Sequence, residues 1–408
     1  MKLIEKSLYL TFTAIVLFCT AVHGQGRNQD AGQPARPQMR RQVRVISPEI
    51  LPDNRVTFRV YSKDASRVSV SGEWQAGFGG SEDLVKNDSG MFALTVGPLK
   101  PELYGYTFTI DGVKSIDPAN VQVRRDGVNY QSFFIVAGPE SDLYLQKENV
   151  PHGTVEKVWY RSGVLGFDRR MYVYTPPGYI TGDLKYPVFY LLHGAGGDED
   201  AWTNMGREAQ IIDNLIALGK AKPMIVVMTN GNATQAGAQN EVPALASQGR
   251  QEMSAYAMAN GRFEEHLVKD VVPFVEKNYR TLQGENNRAI AGLSMGGAQT
   301  QTITNDNPGM FGYIGVFSMG IMNFGTRNQD AAKADEGLDA KIEALNKSGY
   351  KLYWIGCGKD DFVYQSVITL RNTLDKHDFR YTYRESTGGH TWANWRIYLS
   401  EFAPLLFK

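Results

Sequence analysis

The sequence Gly-Leu-Ser-Met-Gly-Gly at residues 292–297 constrains the fold of this chain more than any other segment. It contains Gly-x-Ser-x-Gly, the pattern of a nucleophile elbow, in which a strand turns sharply into a helix and exposes a serine hydroxyl. The chain doubles back on itself at such a turn, so Gly292 and Gly296 supply the small residues needed on either side of Ser294. Residues 288–291 have the character of a short strand. The segment therefore predicts a strand–Ser294–helix unit.

Strands and helices alternate from about residue 150 to residue 408. Continuous apolar runs are typical of parallel strands buried on both faces. Strands are predicted at 169–175, 186–192, 224–228, 288–291, 313–317, 351–357 and 380–386, and helices at 211–218, 263–279 and 364–376. This alternation predicts a doubly wound, mostly parallel sheet over residues 150–408. Together with the nucleophile elbow, it predicts an α/β-hydrolase domain. Sites in such sheets form at the carboxyl ends of the strands.

Residues 43–137 have a different pattern, with short runs in which polar and apolar side chains alternate. These runs lie at 55–61, 67–71, 91–96 and 104–110. Asp111-Gly112 then gives a hairpin turn signal. The spacing predicts a small all-β, immunoglobulin-like sandwich that precedes the α/β domain.

The first 24 residues have the features of an export signal. Lysines flank the start, residues 8–21 are largely apolar, and Val22 and Gly24 are the small residues at positions −3 and −1 of a cut before Gln25. The apolar run is too short for a stable membrane span. We expect a cleaved signal at 1–24 and an exported protein, periplasmic or secreted. A lipid anchor through Cys19 is the alternative, although Phe18 stands where a small residue is expected.

The composition of the exported chain restricts its disulfide bonds and the partners it can bind. Residues 25–42 are polar and rich in Pro and Gly, which predicts a disordered linker. After signal removal Cys357 would be the remaining cysteine, so no internal disulfide is expected. The 43 basic residues balance the 43 acidic ones, which argues against an electrostatic nucleic-acid binder and fits a neutral polymer such as a polysaccharide.

A serine nucleophile needs a base, and the base needs an orienting carboxylate. In a hydrolase of this type the chain order is Ser, then Asp or Glu, then His. His377 and His390 follow Ser294 in the sequence. His377 ends a predicted helix among charged residues, whereas His390 follows the last predicted strand on a glycine-rich loop. We therefore predict His390 as the base.

The orienting acid should follow the preceding strand, where Asp360 and Asp361 are adjacent. Spacing alone leaves both open. One would orient the histidine, and the other would be a turn or capping residue of the helix that follows.

An oxyanion hole needs two backbone N–H groups. The residue after the nucleophile, Met295, is predicted to give one. The loop HGAGG at 193–197 follows a buried strand and is predicted to give the other, from Ala195 or, next, Gly194. A phosphate cradle is excluded because no Gly-Lys-Ser/Thr follows. The acidic run at 198–200 lacks a histidine at ligand spacing, so it is predicted to be a solvated loop and not a metal site.

Four segments together resemble family 1 carbohydrate esterases, which include feruloyl and acetylxylan esterases and are related to enterochelin esterases and mycolyltransferases. They are HGAGGDEDAW at 193–202, GLSMGG at 292–297, GCGKDDF at 356–362 and GGHTWANWR at 388–396. The resemblance covers about residues 150–408. It implies a serine carboxylic-ester hydrolase without metal or organic cofactor, with Ser294 as nucleophile, His390 as base and Asp361 as the acid. The family's usual glycine after His-Gly is Ala195 here.

The region 102–120 resembles carbohydrate-binding modules of family 48. If the sandwich binds sugar, its aromatic residues Trp74 and Tyr104 are candidates for stacking on a sugar ring. The alternative for the sandwich is a scaffold packed on the next domain.

The resemblance implies removal of feruloyl or acetyl groups from xylan-type plant cell-wall polysaccharides. Four residues beside the motifs are candidates for the wall of an acyl pocket. For Phe317 and Met319, packing in the hydrophobic core is an equally weighted alternative. They are Trp202, Phe317, Met319 and Trp392. The alternatives are an acetylxylan esterase, a siderophore esterase, or an inactive carbohydrate-binding protein with a hydrolase fold. Serine, aspartate and histidine in the required order argue against the last.

Overall fold

The computed structural model describes residues 44–75, 80–238, 241, 261–321 and 337–408. The predicted signal at 1–24 and linker at 25–42 lie outside these residues, as does most of the loop at 230–260. Val45–Lys408 form a single unit of the chain. Within the described residues, no helix has the length and apolar character needed to cross a membrane.

The first part of this unit is all-β, as predicted. Its strands are β1 Glu49–Ile50, β2 Val56–Tyr61, β3 Val68–Gly72, β4 Glu82–Asp83, β5 Val85–Lys86, β6 Met91–Val96, β7 Glu102–Ile110, β8 Val113–Ser115, β9 Val123–Asp126 and β10 Asn129–Val136. They pair antiparallel in two sheets, β1-β2-β6-β5 and β4-β3-β7-β10-β9, with β8 beside β7. Alternate side chains such as Val56, Phe58 and Val60 are buried in a core between them. The Asp111-Gly112 turn has φ values of 45° and 88°, as a two-residue hairpin needs.

In the second part, the described residues form a sheet of eight strands in the order β11-β12-β14-β13-β15-β16-β17-β18. The strands are β11 Thr154–Arg161, β12 Asp168–Thr175, β13 Val188–Leu192, β14 Ile225–Thr229, β15 Arg288–Leu293, β16 Tyr313–Phe317, β17 Leu352–Gly358 and β18 Thr382–Ser386. Pairing is antiparallel from β11 through β12 to β14 and parallel from there to β18. This confirms the doubly wound α/β-hydrolase fold.

Helices cover both faces of the sheet. They are α1 Ala201–Asn204, α2 Glu208–Ala217, α3 Arg262–His266, α4 Val272–Asn278, α5 Met295–Asp306, α6 Leu338–Lys347, α7 Tyr364–Lys376 and α8 Trp392–Phe402, with 3₁₀ turns at Asp142–Tyr144, Glu285–Asn287 and Ala403–Leu405. A π-helical segment, Leu267–Val271, joins α3 to α4, whose second residue is Pro273. The wider turn accommodates the missing N–H and the ring of Pro273, which explains why the predicted helix continues past a proline.

Two hydrophobic clusters line the two faces of the sheet. Along β13, Val188 and Tyr190 belong to one cluster, and Phe189 and Leu191 to the other, because side chains alternate along a strand. The second cluster also contains Leu103 of the sandwich, so the sandwich packs on the face occupied by α2 and α8.

Cys357 lies in β17 as a buried free thiol. Burial raises its pKa to about 12.

Candidate active site

Ser294 stands at the turn between β15 and α5 with φ 51° and ψ −118°. An L-residue rarely adopts this conformation, and such strain persists only where the surrounding structure fixes it. The Ser294 N–H donates to the carbonyl of Phe317 on the neighbouring strand at 2.9 Å. The elbow predicted from Gly-x-Ser-x-Gly is therefore present in the backbone.

The two motif glycines allow the turn to close. A Cβ on Gly292 would lie 2.2 Å from the Gly296 carbonyl oxygen, and a Cβ on Gly296 would lie 2.6 Å from the carbonyl oxygen of His193. Both distances are far below van der Waals contact, so any side chain would push the backbone apart. The second contact also packs the elbow against the loop that follows β13.

His390 and Asp361 meet at the carboxyl ends of β17 and β18. His390 Nδ1 lies 2.9 Å from Asp361 Oδ1 and 3.1 Å from Oδ2. Asp361 is buried, and its Oδ1 also accepts the N–H of Val363 at 3.0 Å. This arrangement fixes the imidazole and leaves Nε2 as the nitrogen for proton exchange with a substrate or nucleophile.

Asp360 has a different contact. It is exposed, and its Oδ2 accepts the backbone N–H of Gly388 at 3.1 Å in the loop that carries His390. Of the two aspartates that spacing leaves open, Asp361 is thus the one beside the imidazole. The catalytic roles of Ser294, His390 and Asp361 remain predictions. The hydrogen bonds of the described residues do not include one between Ser294 and His390.

The predicted oxyanion loop lies directly on the elbow. A Cβ on Gly194 would meet the Cβ of Ser294 at 3.3 Å. A turn closes from the Gly197 N–H to the Gly194 carbonyl at 3.2 Å, with φ 81° at Gly196. The left-handed conformation of this turn thus falls on Gly196, which explains how alanine fits at position 195. Met295 begins α5, where N–H groups lack acceptors within the helix.

His193 fixes the start of this loop, a role that the sequence reasoning missed. It is buried, its Nδ1 donates to the Gly194 carbonyl at 2.7 Å, and its Nε2 accepts the N–H of Gly231 at 2.7 Å. Burial lowers the pKa of His193, which keeps the ring neutral with one donor and one acceptor. Gln299 of α5 donates to the Gly231 carbonyl at 2.9 Å and extends the network to the elbow helix.

Phe362 was also missed, although it directly follows Asp361. Its side chain is 73% exposed, and its ring centroid lies 4.4 Å from that of His390. A large exposed aromatic ring on the imidazole is well placed to contact a bound acyl or sugar group.

The four candidate pocket residues are buried. Trp202 donates from Nε1 to the Leu192 carbonyl at 3.0 Å and packs edge-on against Trp392 at 5.3 Å. Phe317 and Met319 are 0% and 2% exposed and belong to the hydrophobic clusters. These contacts favour core packing, and a role in an acyl pocket remains a prediction.

A second Ser–His–Asp group was not foreseen. His266 Nδ1 lies 3.0 Å from both Ser162 Oγ and Asp270 Oδ2, and its Nε2 contacts Tyr160 Oη at 2.8 Å. The serine and the carboxylate share one nitrogen, so the ring cannot relay a proton between them as a triad does. Burial lowers the pKa of His266 to about 4, and Ser162 is fully buried. We interpret this group as structural.

The prediction of a solvated loop at residues 198–200 is wrong. Asp198, Glu199 and Asp200 are all buried. Asp198 pairs with both terminal nitrogens of Arg125, each at 2.7 Å, and Asp200 contacts the same guanidinium. Glu199 pairs with Arg170 at 2.7 Å. The run is buried because arginines distant in sequence neutralise it. Among the described residues, no cluster of His, Cys, Asp and Glu has the arrangement of a metal site.

Substitution of Asp200 by asparagine should flatten the dependence of stability on pH. Burial and the neighbouring Asp198 raise the pKa of Asp200 from 3.8 to about 7. Its protonated form therefore stabilises the fold below pH 4, and this contribution is lost as pH rises through 7. In Asp200→Asn the fall in unfolding free energy across this window should shrink by up to about 4 kcal/mol, because a pKa raised by about three corresponds to about 1.4 kcal/mol for each pH unit. Thermal melts from pH 4 to 8 measure it. The Asp198→Asn variant is the comparison, since Arg125 lowers the pKa of Asp198 and its charged form is the stabilising one.

A family model named Esterase, with the description "Putative esterase", matches residues 162–404. An endo-1,4-beta-xylanase/feruloyl esterase of Xylanibacter ruminicola is 34% identical over 314 residues, which is 72% of this chain and 40% of that protein. Endo-1,4-beta-xylanase Y of Acetivibrio thermocellus is 27% identical over 66% of this chain and 24% of its own length. The chain thus spans less than half the length of these two relatives.

Solved structures show the same fold. A ferulic acid esterase of family CE1 from Anaeromyces mucronatus is 25% identical, with a TM-score of 0.52 over 65% of this chain and 95% of its own. The enterobactin esterase of Shigella flexneri is 16% identical, with a TM-score of 0.57 over 86% of this chain and 93% of its own. The second similarity, at this identity, is one of fold alone.

Proposed function

The chain belongs to the Esterase family, and on this basis we propose that it is a serine carboxylic-ester hydrolase that removes acyl groups, feruloyl foremost, from xylan-type plant cell-wall polysaccharides. The observation that carries the proposal is the Asp361–His390 hydrogen bond at the sheet edge where the strained Ser294 turn also lies. The names of the relatives from Xylanibacter ruminicola and Anaeromyces mucronatus support feruloyl esters as the substrate class.

In the proposed reaction, Ser294 Oγ attacks the ester carbonyl while His390 takes the hydroxyl proton. Asp361 holds the imidazole in the tautomer that accepts at Nε2 and stabilises the imidazolium. The N–H groups of Met295 and Ala195 bind the oxyanion, and each contributes about 10²–10³ in rate. The carbon–oxygen bond to the sugar then breaks, and His390 gives its proton to the departing sugar oxygen. Water, activated by His390, hydrolyses the acyl-enzyme and restores Ser294.

Release of ferulate and acetate from arabinoxylan fragments tests the proposal. The purified protein should release ferulate faster than acetate, and Ser294→Ala should release neither. Acetate as the main product would instead make the protein an acetylxylan esterase. Absence of either product, together with retention on insoluble xylan, would favour a carbohydrate-binding protein with a hydrolase fold.

The second candidate is a siderophore esterase, the activity named for the enterobactin esterase of Shigella flexneri, which shares this fold over 86% of the chain. That enzyme should cleave a catecholate triester faster than methyl ferulate. A comparison of kcat/KM for the two esters separates the candidates.

For the sandwich, the contacts favour a scaffold over a sugar-binding role. Trp74 stacks on Phe58 at 5.0 Å and Tyr104 on Phe134 at 5.5 Å, so both aromatic rings pack against the sandwich core. Titration with xylo-oligosaccharides is expected to give no fluorescence change that Trp74→Phe removes. A saturable change would instead support the likeness to family 48 carbohydrate-binding modules.

We also propose export through residues 1–24. Sequencing the mature N-terminus should find Gln25 first. Incorporation of labelled palmitate and a start at Cys19 would indicate a lipid anchor instead.

A further inference from the structure

The turn between β9 and β10 of the sandwich touches the predicted oxyanion loop. Gly127 has φ 57°, and a Cβ placed on it would lie 2.1 Å from the carbonyl oxygen of Gly196. Gly196 directly follows Ala195, whose N–H is the predicted oxyanion donor. A backbone from the sandwich is therefore in direct contact with the turn on which that donor lies.

Arg125 ties the same hairpin to the residues that follow the loop. Its guanidinium is buried and binds both oxygens of Asp198 at 2.7 Å, and it also contacts Asp200 and the Gly127 carbonyl oxygen. A bidentate arginine–carboxylate pair restricts orientation as well as distance. One side chain thus links the hairpin turn to the segment between the oxyanion loop and α1.

The loop itself has limited support from its own backbone. Ala195 and Gly196 are exposed, and the hydrogen bond from the Gly197 N–H to the Gly194 carbonyl is long at 3.2 Å. The helix that follows, Ala201–Asn204, is a single turn. The elbow and His193 hold the inner side of the loop. Its outer side meets the sandwich.

We propose that the β9–β10 hairpin is the outer support of the oxyanion loop, and that Arg125 and Gly127 are positioning residues for catalysis. This inference rests on the proposed esterase function. A donor must stand at hydrogen-bond distance from the developing oxyanion, and a shift of about 1 Å costs on the order of 10²-fold in rate. The sandwich would then contribute to the chemical step without touching the substrate.

Two glycine variants separate this role from general stability. Gly112 also lies in a sandwich hairpin with positive φ, 88°, but a Cβ there would meet nothing within 4 Å. Gly127→Ala should lower kcat for 4-nitrophenyl acetate by about tenfold to a hundredfold with KM within about twofold of wild type, because the small ester needs only the reacting groups. Gly112→Ala should leave kcat unchanged. Equal kcat in both variants and wild type would overturn the proposal.

Hydrogen exchange gives a readout that does not depend on esterase activity. In Arg125→Met, the backbone amides of residues 194–201 should exchange faster, and Arg125→Lys should recover part of the protection. The matched control is Glu102→Gln, which removes a further ion pair between the sandwich and the α/β domain, that of Glu102 with Arg396 at 3.0 Å. Its loop amides should exchange as in wild type. If the wild-type protein hydrolysed no ester but Arg125→Met still exchanged faster than wild type, the support role would stand and the esterase proposal would fail. Unchanged exchange in Arg125→Met would refute the support role.

Discussion

Replacement of Ser294 by alanine is expected to reduce kcat for ester hydrolysis by about 10⁶-fold, equivalent to about 8 kcal/mol of transition-state stabilisation. The reason is that acyl transfer then lacks the oxygen that forms the covalent intermediate, and the remaining groups cannot act without it. Initial rates with methyl ferulate and 4-nitrophenyl acetate measure the loss, together with the absence of a burst of nitrophenol. A variant that retained even 1% of the wild-type kcat would contradict the assignment of Ser294.

The matched variant Ser294→Gly tests whether the turn is strained. Alanine keeps the Cβ that makes φ 51°, ψ −118° unfavourable, whereas glycine removes it. Both variants should be inactive, but Ser294→Gly should be more stable than Ser294→Ala by about 1–3 kcal/mol in urea unfolding, net of the glycine's own entropy cost. Equal or lower stability would mean that the elbow stores little strain.

Replacement of Asp361 by asparagine is expected to reduce kcat by about 10⁴-fold with little change in KM. The amide would keep the shape of the site, but its NH₂ group can hold His390 in the tautomer that cannot accept at Nε2. The buried Asp361 also contacts the Val363 N–H, so a thermal melt should accompany the kinetics.

Asp360→Asn is the adjacent control. Asp360 accepts the Gly388 N–H at 3.1 Å from an exposed position, a bond that an amide oxygen can keep. We expect kcat to change by less than about tenfold. If Asp360→Asn proved the more damaging of the two, the orienting role would belong to Asp360.

Local sequence was sufficient for the elbow and for the order of the site residues. Gly292 and Gly296 report a close backbone contact within one short segment, and α/β alternation places Ser294, Asp361 and His390 after strands that end at one edge. Spacing alone left Asp360 and Asp361 open, because adjacent residues differ only in the direction of their side chains, and the choice of Asp361 came from the resemblance to family 1 carbohydrate esterases.

Long-range contacts explain the expectations that failed. Three acidic residues in a row are usually solvated, and burial at 198–200 requires Arg125, 73 residues from Asp198 in the sequence. The edge strand β11 escaped prediction because most of its side chains are exposed and it lacks a continuous apolar run. The contact of Gly127 with Gly196 has no sequence signal either, since a hairpin glycine is fully explained by its own turn.

The buried thiol of Cys357 allows local opening of the sheet beside the site to be measured by chemical labelling. At pH 8, a thiol with a pKa of about 12 has a thiolate fraction of about 10⁻⁴, and its position within β17 shields it from reagents. Alkylation at this position should therefore proceed only when the sheet opens between β17 and β18, the strands that precede Asp361 and His390. The labelling rate, read by peptide mapping, would report how often this edge of the sheet opens under native conditions. A lower rate in the presence of a bound acyl group would show that the group suppresses this opening.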